Sequence, residues 1–254
     1  MPHTLGSSYD LKNKLLTIQN LKDKLPKHIA LIPDGNRRWA KLNNYSYELG
    51  YRKGIENLIN FVSWIGEFKI KYLTVWAFST ENWNRDNKEK ELLFNILKEK
   101  AEELLKNKNF DRYKIRISFR GDLSKFDNNL LNLIKDIEEK TKNFDKYHLN
   151  FLLNYGGRIE ILNAVKSIAE KVKRNEIDIV EIDEKLFSSH LYTHGLPDPD
   201  LIIRTAEKRL SGLMPWQSVY TELYFVDKLW PDFTKDDLIN ALYDYLNRER
   251  RFGK

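Results

Sequence analysis

The sequence predicts an α/β protein, a single domain built on a central, mainly parallel, six-stranded sheet flanked by helices. Two observations predict it. Short runs of apolar, β-prone residues recur six times, and segments with apolar residues at helical spacing lie between them. Strands separated by helices join through right-handed crossovers and so lie parallel. At 254 residues the chain has ample length for one large core, and no repeat, low-complexity tract or linker divides it.

The first element is the lysine-punctuated stretch LKNKLLTIQNLKDKL, residues 11–25. Its Leu11, Leu15, Ile18, Leu21 and Leu25 repeat at helical spacing and make one apolar stripe. Residues 1–25 are expected to form an amphipathic helical segment packed on its own domain rather than on a membrane surface, with the main domain over 26–254. The regular lysines argue against a signal peptide, and no run of 18 or more apolar residues marks a membrane span. The strands are HIALIP (28–33), YLTVWAFS (72–79), KIRISFRG (114–121), HLNFLLNY (148–155), DLIIRT (200–205) and ELYFVD (222–227). A helix is expected around Leu58, Ile59, Phe61, Val62 and Ile65, and another around Leu92, Leu93, Ile96, Leu97, Leu104 and Leu105. Leu130, Leu131, Ile134 and Ile137 mark a third, and Ile161, Leu162, Val165 and Ile168 a fourth. The last runs from about Lys235 to Arg248, with Thr234 as N-cap and Asp236 and Asp237 in its first turn.

Composition narrows the chemistry. The absence of cysteine removes disulfides and thiolate metal sites and suits a reducing, cytoplasmic setting. A net charge of +6 favours phosphate esters, polyanions or acidic headgroups as partners, although the same excess can be scattered over the surface. Aromatic residues reach 13%. Trp64, Trp76, Phe78, Phe94 and Phe119 could line an apolar cavity, but core packing is the commoner use of each. Ala77, small and on the same strand, could let an apolar chain pass.

In a parallel sheet all strands end on one edge, and ligands bind outside those carboxyl ends. The stretches just past the strand ends read DGNRRW, STENWNR, RGD, NYGGR and RTAEKRLS. Together they supply Arg38, Arg85, Arg158, Arg204 and Arg209, with Asp34 and Glu81 among them. Guanidiniums meeting glycine-rich turns describe a phosphate site. A carboxylate among them is a salt-bridge partner or the ligand that Mg²⁺ prefers when it bridges to phosphate. The pattern therefore reads as a diphosphate–metal cradle. Asp34 would hold the metal, Gly35 would let backbone approach the phosphates, and Arg37 and Arg38 would neutralise them. Ordinary loop-capping by these arginines stays open as the plainer alternative.

Other chemistries lack their marks. There is no G-x-x-x-x-G-K-[ST], no G-x-G-x-x-G and no G-x-S-x-G. His28, His148, His190 and His194 show no zinc spacing with a flanking glutamate.

Five blocks in order, HIALIPDGNRRWA, AFSTENWNR, NYGGR, LIIRT…RLS…WQSVYTELYF and LWPDF…NRERRFG, resemble the cis-prenyltransferase family, the undecaprenyl diphosphate synthase-like enzymes, from about His28 onward. The resemblance implies a parallel sheet between helices with an elongated apolar tunnel. It implies an activity too: isopentenyl diphosphate units are condensed onto an allylic diphosphate, farnesyl or geranylgeranyl, to give a Z-polyprenyl diphosphate, the precursor of a glycosyl carrier lipid. By that resemblance Asp34 is the metal-binding catalytic aspartate, and Gly35, Asn36, Arg37, Arg38 and Trp39 form the loop on the allylic diphosphate. Ser79, Thr80, Glu81, Asn82, Trp83 and Arg85 form the second loop, with Asn82 and Trp83 beside the reacting carbons. Arg204, Arg209, Leu210 and Ser211 clamp isopentenyl diphosphate. Glu222 is the second carboxylate of the Mg²⁺ site, meeting Asp34 at one rim of the sheet. Arg251, Phe252 and Gly253 resemble the tail that reaches the partner's site in homodimers. Peripheral membrane contact for product release fits the same picture; nucleic acid does not.

Breaking an allylic C–O bond leaves positive charge on carbon and negative charge on the departing diphosphate, and Mg²⁺ and fixed guanidiniums stabilise that anion best where water is scarce. Asn82 is an amide and a poor base, so it is expected to orient the substrate or relay to a diphosphate oxygen. Three places depart from the commoner bacterial pattern. Tyr47 stands for an arginine and Tyr51 for a histidine, each swap weakening a phosphate contact from roughly 1.5–3 to 0.5–1.5 kcal/mol. The turn TAEKR is one residue short, and Pro33 replaces a methionine. A short-chain synthase, a non-catalytic partner subunit and, from another class, a nucleic-acid binder remain as alternatives. The last needs basic residues over an extended face rather than at strand ends.

Overall fold

A computed structural model describes residues 4–250, with side chains from Asp10 onward. The strands are β1 (His28–Ile32), β2 (Tyr72–Ser79), β3 (Ile115–Arg120), β4 (Tyr147–Tyr155), β5 (Leu201–Thr205) and β6 (Glu222–Val226). They form one six-stranded sheet in the order β3-β4-β2-β1-β5-β6, as the alternating pattern requires. The helices are α1 (Thr4–Asn20), α2 (Asn36–Leu42), α3 (Tyr47–Glu67), α4 (Asn87–Lys106), α5 (Asn109–Tyr113), α6 (Asn128–Thr141), α7 (Gly157–Lys173), α8 (Glu184–Ser189) and α9 (Lys235–Asn247). One expectation fails: no helix separates β5 from β6, because residues 206–221 run as successive turns. Contacts group the chain into two compact units. The first holds the chain up to Leu73, Pro199–Arg209 and the residues from Tyr220; the second holds Thr74–Asp198 and Leu210–Val219.

In the first unit β1 pairs parallel with β5, from Ile29↔Leu201 to Ile32↔Arg204, and β5 with β6, from Leu201↔Glu222 to Thr205↔Val226. Ile29, Ala30 and Leu31 and Leu201, Ile202 and Ile203 are wholly buried, as continuous apolar strands are when a parallel sheet is covered on both faces. Ser46 caps α3 by accepting from the Leu49 N–H at 3.2 Å. Gly50 and Gly54 let α2 lie close on α3: a Cβ at Gly50 would come within 2.6 Å of the Asn36 carbonyl oxygen. Buried Asn57 donates to the carbonyls of Trp230 (2.7 Å) and Phe233 (3.0 Å), and the Trp230 indole donates to the Gly54 carbonyl at 2.7 Å. α9 starts where its cap predicts, the Thr234 and Asp237 side chains bonding reciprocally to each other's backbone N–H groups. α1 packs along α9, with Lys14 donating to Asn240 at 3.0 Å and Ile18 only 1% exposed. Burying such a side chain contributes about 1.5–3 kcal/mol.

In the second unit β3 pairs parallel with β4 from Ile115↔Tyr147 to Arg120↔Leu152. Phe78, Phe126, Leu130, Ile134 and Leu153 make the core, with Trp83, Phe94 and Phe119 half-buried against it. Trp76 is buried as well, so the expectation of core packing holds for Trp76 and Phe78. Ala77, between them, is exposed. β3 is an edge strand, and α6 covers its open side: Thr141 accepts from the Ile117 N–H (3.1 Å) and Glu138 from the Phe119 N–H (2.8 Å). Unpaired N–H groups are thereby denied to a foreign strand.

Candidate active site

In the first unit the carboxyl ends of β1 and β5 lie side by side, and this is why Asp34, two residues past β1, meets the end of β5. The Thr205 hydroxyl holds the backbone of Asp34 from both sides, accepting from its N–H at 2.9 Å and donating to its carbonyl at 2.7 Å. The Trp230 N–H donates to the same carbonyl at 2.9 Å. The main chain of Asp34 is thus fixed at both its N–H and its carbonyl. Its Oδ2 accepts from Arg204 Nη2 at 2.9 Å, and its Oδ1 lies 3.3 Å from Arg38 Nη2. Arg204 also donates to the carbonyl of Arg209, and its side chain is 4% exposed against 33% for Asp34. Glu207 joins the remaining guanidiniums, accepting from Arg38 at 2.8 Å and from Arg209 at 2.7 Å. Three guanidiniums meet two carboxylates here, and Arg38 and Arg209, 45% and 63% exposed, present a surface that attracts anions.

Around this cluster the predicted loop residues take separate jobs. Gly35 stands at φ +115°, where a Cβ would also press to 2.9 Å from Leu229; glycine alone fits there. Asn36 lies against Gly50 and Gly54 with its buried Oδ1 lacking a protein donor. Arg37 lies over the Tyr47 ring, 5.0 Å from its centroid, so the aromatic that replaced a cation carries one on its face. Trp39 donates to Asp232 at 2.8 Å and packs on Tyr45. Tyr51 is buried, 6% exposed.

The expectation that Glu222 meets Asp34 at one rim of the sheet has to be corrected. It is the first residue of β6 and pairs with Leu201, whereas Ile32, two residues before Asp34, pairs with Arg204. Three residues of strand, about 10 Å at ~3.3 Å each, separate those levels before Asp34 is reached. Glu222 lies at the amino edge of the sheet, its N–H on the Asp200 carbonyl (3.0 Å) and its carboxylate on Arg248 (2.7 Å). Within one chain it cannot share an ion with Asp34. No group of three or more His, Asp or Glu side chains comes together for a metal among the described residues. What the first unit offers Mg²⁺ is Asp34, with the longer of its two guanidinium contacts on the Oδ1 side. A single carboxylate fits an ion that takes its other ligands from phosphate and water, which is how Mg²⁺ is commonly held; it does not form a closed protein cage.

In the second unit the loop after β2 is a 3₁₀ turn, Thr80–Asn84, closed by a capping box. Asn82 Oδ1 accepts from the Ser79 N–H at 3.0 Å. That bond fixes the amide plane and leaves the Nδ2 hydrogens as the polar end of Asn82. Trp83 donates to Asn154 Oδ1 at 2.7 Å, and Asn154 donates to the Asp122 carbonyl at 2.7 Å. The Trp83 ring packs edge-on to Phe78, 5.4 Å between centroids. Thr80 sits on Gly156, where a Cβ would lie 2.5 Å from its hydroxyl. Arg85 pairs with buried Glu89 at 3.2 Å, and Glu81 and Arg158 are exposed. Leu210 is half-buried, and Ser211 is exposed in a left-handed conformation, φ +51°. Arg251, Phe252 and Gly253 lie outside the described residues.

The sequence reading missed Thr205, Glu207 and Asn154. A threonine ending a strand, or one more acid in a charged turn, carries no pattern of its own. Only the register of β5 against β1 shows what Thr205 and Glu207 hold.

The family model for undecaprenyl diphosphate synthases matches residues 32–253. A relative from Methanocaldococcus jannaschii, named tritrans,polycis-undecaprenyl-diphosphate synthase (geranylgeranyl-diphosphate specific), is 44% identical over 236 residues, covering 92% of this chain and 84% of that protein. An isoprenyl transferase from Clostridium perfringens is 43% identical over 238 residues, covering 92% of each. The crystal structure of lavandulyl diphosphate synthase from Lavandula x intermedia in complex with dimethylallyl diphosphate superposes with a TM-score of 0.88 at 36% identity, covering 91% of this chain and all of that one.

Proposed function

The chain belongs to the undecaprenyl diphosphate synthase family of prenyltransferases, and from that premise we propose that it extends an allylic diphosphate with isopentenyl diphosphate, in a Mg²⁺-dependent reaction that forms cis double bonds. The observation that carries the reading is the cluster at the joined ends of β1 and β5, where the guanidiniums of Arg38, Arg204 and Arg209 gather around Asp34 and Glu207. It lies in the block HIALIPDGNRRWA and in RTAEKRLS, the stretches that carry the resemblance.

The chain's residues divide the work as follows. Arg38 and Arg209 hold diphosphate oxygens, each already oriented by Glu207. Arg204, buried and fixed by Asp34 and the Arg209 carbonyl, keeps the carboxylate aimed. When bound, Mg²⁺ supplies charge to the leaving diphosphate, and Asp34 is the residue that would hold it. As the allylic C–O bond breaks, carbon becomes positive and the diphosphate takes the electron pair. The new C–C bond moves the positive charge onto the isopentenyl unit, which then loses a proton. Asn82, its carbonyl occupied by the Ser79 N–H, donates through Nδ2 to a diphosphate oxygen, and that oxygen takes the proton. Fixed donors act strongly in a water-poor site because they need no reorganisation. Exposed Ala77 between buried Trp76 and Phe78 supports passage of the growing chain along β2. The homodimer and a membrane contact for product release belong to the same proposal. No helix among the described residues is long and apolar enough to cross a membrane.

Purified protein given Mg²⁺, labelled isopentenyl diphosphate and either farnesyl or geranylgeranyl diphosphate tests this. Label should enter a butanol-soluble polyprenyl diphosphate, whose chromatography gives chain length and primer preference. No incorporation with either primer, by protein shown to be folded, would overturn the reading.

A further inference from the structure

The stretch RGD at the end of β3 is left unused by that reaction, yet its arginine sits in an unusual place. Arg120, the last residue of β3, is partly buried. Its Nε is shut off from solvent with no hydrogen-bond acceptor, and its Nη1 donates to the Tyr192 carbonyl at 3.3 Å. Burial holds the guanidinium below the usual arginine range; the charge of Glu138 offsets this in part and that of Arg116 adds to it. Arginines withdrawn from water are normally paired, because a buried charge without a counter-ion is costly. Among the described residues Arg120 has no ion-pair partner.

The side chain lines a groove of about 430 Å³ between the edge of β3 and α6. Four cations line it, Arg116, Arg120, Lys135 and Lys142, against two acids, Glu138 and Glu139. Both acids are engaged: Glu138 accepts from the Phe119 N–H at 2.8 Å, and Glu139 pairs with Lys142. Arg116 and Lys135 are exposed and, like Arg120, lack an ion-pair partner among the described residues. Arg116, Ser118 and Arg120 stand at alternate positions of the strand and so share one of its faces. Ser118, 8% exposed, sets a hydroxyl between the two guanidiniums. Unpaired guanidiniums flanking a hydroxyl, with an ammonium across the groove, are donors that match the oxygens of a phosphate group.

We propose that the groove between β3 and α6 is a second anion site, in which Arg120, with Arg116 and Lys135, binds a phosphate-class oxyanion. All of its residues belong to the second unit, and none belongs to the cluster on Asp34. The site therefore stands or falls independently of the proposed reaction. Inorganic phosphate and the diphosphate which that reaction releases share the chemistry it selects.

Amide hydrogen exchange of the full chain tests it, without Mg²⁺ and at constant ionic strength, in chloride, inorganic phosphate or diphosphate. A ligand at about ten times its Kd slows exchange through local opening about tenfold. Relative to chloride, residues 115–120 and 135–142 should therefore gain about tenfold protection at saturating anion. Arg120→Met should abolish that gain. Lys135→Ala, a change on an exposed helix face, should weaken it severalfold, and decides the matter if Arg120→Met does not fold. Any protection of residues 34–39 by the same anions should be equal in wild type and variants. Protection by either anion supports the site, and the one that acts at the lower concentration identifies its source. No protection of 115–120 in folded wild-type protein by millimolar phosphate or diphosphate would overturn the proposal. Protection that survives both substitutions would overturn it as well.

Discussion

Replacing Asn82 by aspartate separates two roles that one side chain could play. The capping box survives the change, because a carboxylate oxygen accepts from the Ser79 N–H as readily as the amide oxygen does at 3.0 Å. What disappears is the Nδ2 donor. If that donor holds a diphosphate oxygen, its loss removes a hydrogen bond to a charged group, about 1.5–3 kcal/mol. At 1.36 kcal/mol per decade this lowers kcat about tenfold to 150-fold, and the new negative charge beside the diphosphate deepens the fall. If instead residue 82 is the base that takes the isopentenyl proton, a carboxylate should serve far better than an amide, and turnover should rise. Single-turnover incorporation of labelled isopentenyl diphosphate, with both substrates saturating, reads the chemical step directly. Thermal melting run alongside should show Asn82→Asp near wild type and Asn82→Ala lower by the cap, about 0.5–2 kcal/mol. A gain in single-turnover rate for Asn82→Asp would refute the donor role.

Other perturbations follow from the same geometry. Arg204→Met should destabilise the fold by about 3–5 kcal/mol at most, because it strands the Asp34 carboxylate and the Arg209 carbonyl; Asp34 is one-third exposed, so the urea midpoint should report the lower part of that range. Tyr47→Ala removes the ring beneath Arg37, an exposed cation–π contact of about 0.5–1 kcal/mol, and the allylic KM should rise about two- to fivefold; an unchanged KM would mean Arg37 does not touch that substrate. Gly35→Ala forces a methyl into φ +115° against Leu229 and should cost about 1–2 kcal/mol or more in denaturant unfolding. A neutral Gly35→Ala would show that the turn relaxes.

Much of the fold was legible because parallel strands buried on both faces carry their own signal. YLTVWAFS gave β2 to the residue, and the Thr234 cap with its following acids gave the start of α9. α2 was hidden inside DGNRRWAKL, since Pro-Asp-Gly reads as a turn and the helix buries only Ala40. The first half of α3, YELGYRKG, was missed because its contact with α2 is made through Gly50 and Gly54, which leave no apolar stripe. The placement of Glu222 at the same rim as Asp34 could have been corrected from the sequence: the first residue of a parallel strand stands at the opposite edge from the residues that follow strand ends. Buried acids such as Glu160 were invisible, because a glutamate in a helical segment looks the same whether solvent or Thr193 faces it.

The cluster at the ends of β1 and β5 bears the whole account, and one substitution strikes it alone. Asp34→Ala, folded and still binding isopentenyl diphosphate by calorimetry, should lose about a thousandfold or more of its polyprenyl diphosphate synthesis, a loss that added Mg²⁺ does not restore. Synthesis within tenfold of wild type would contradict it.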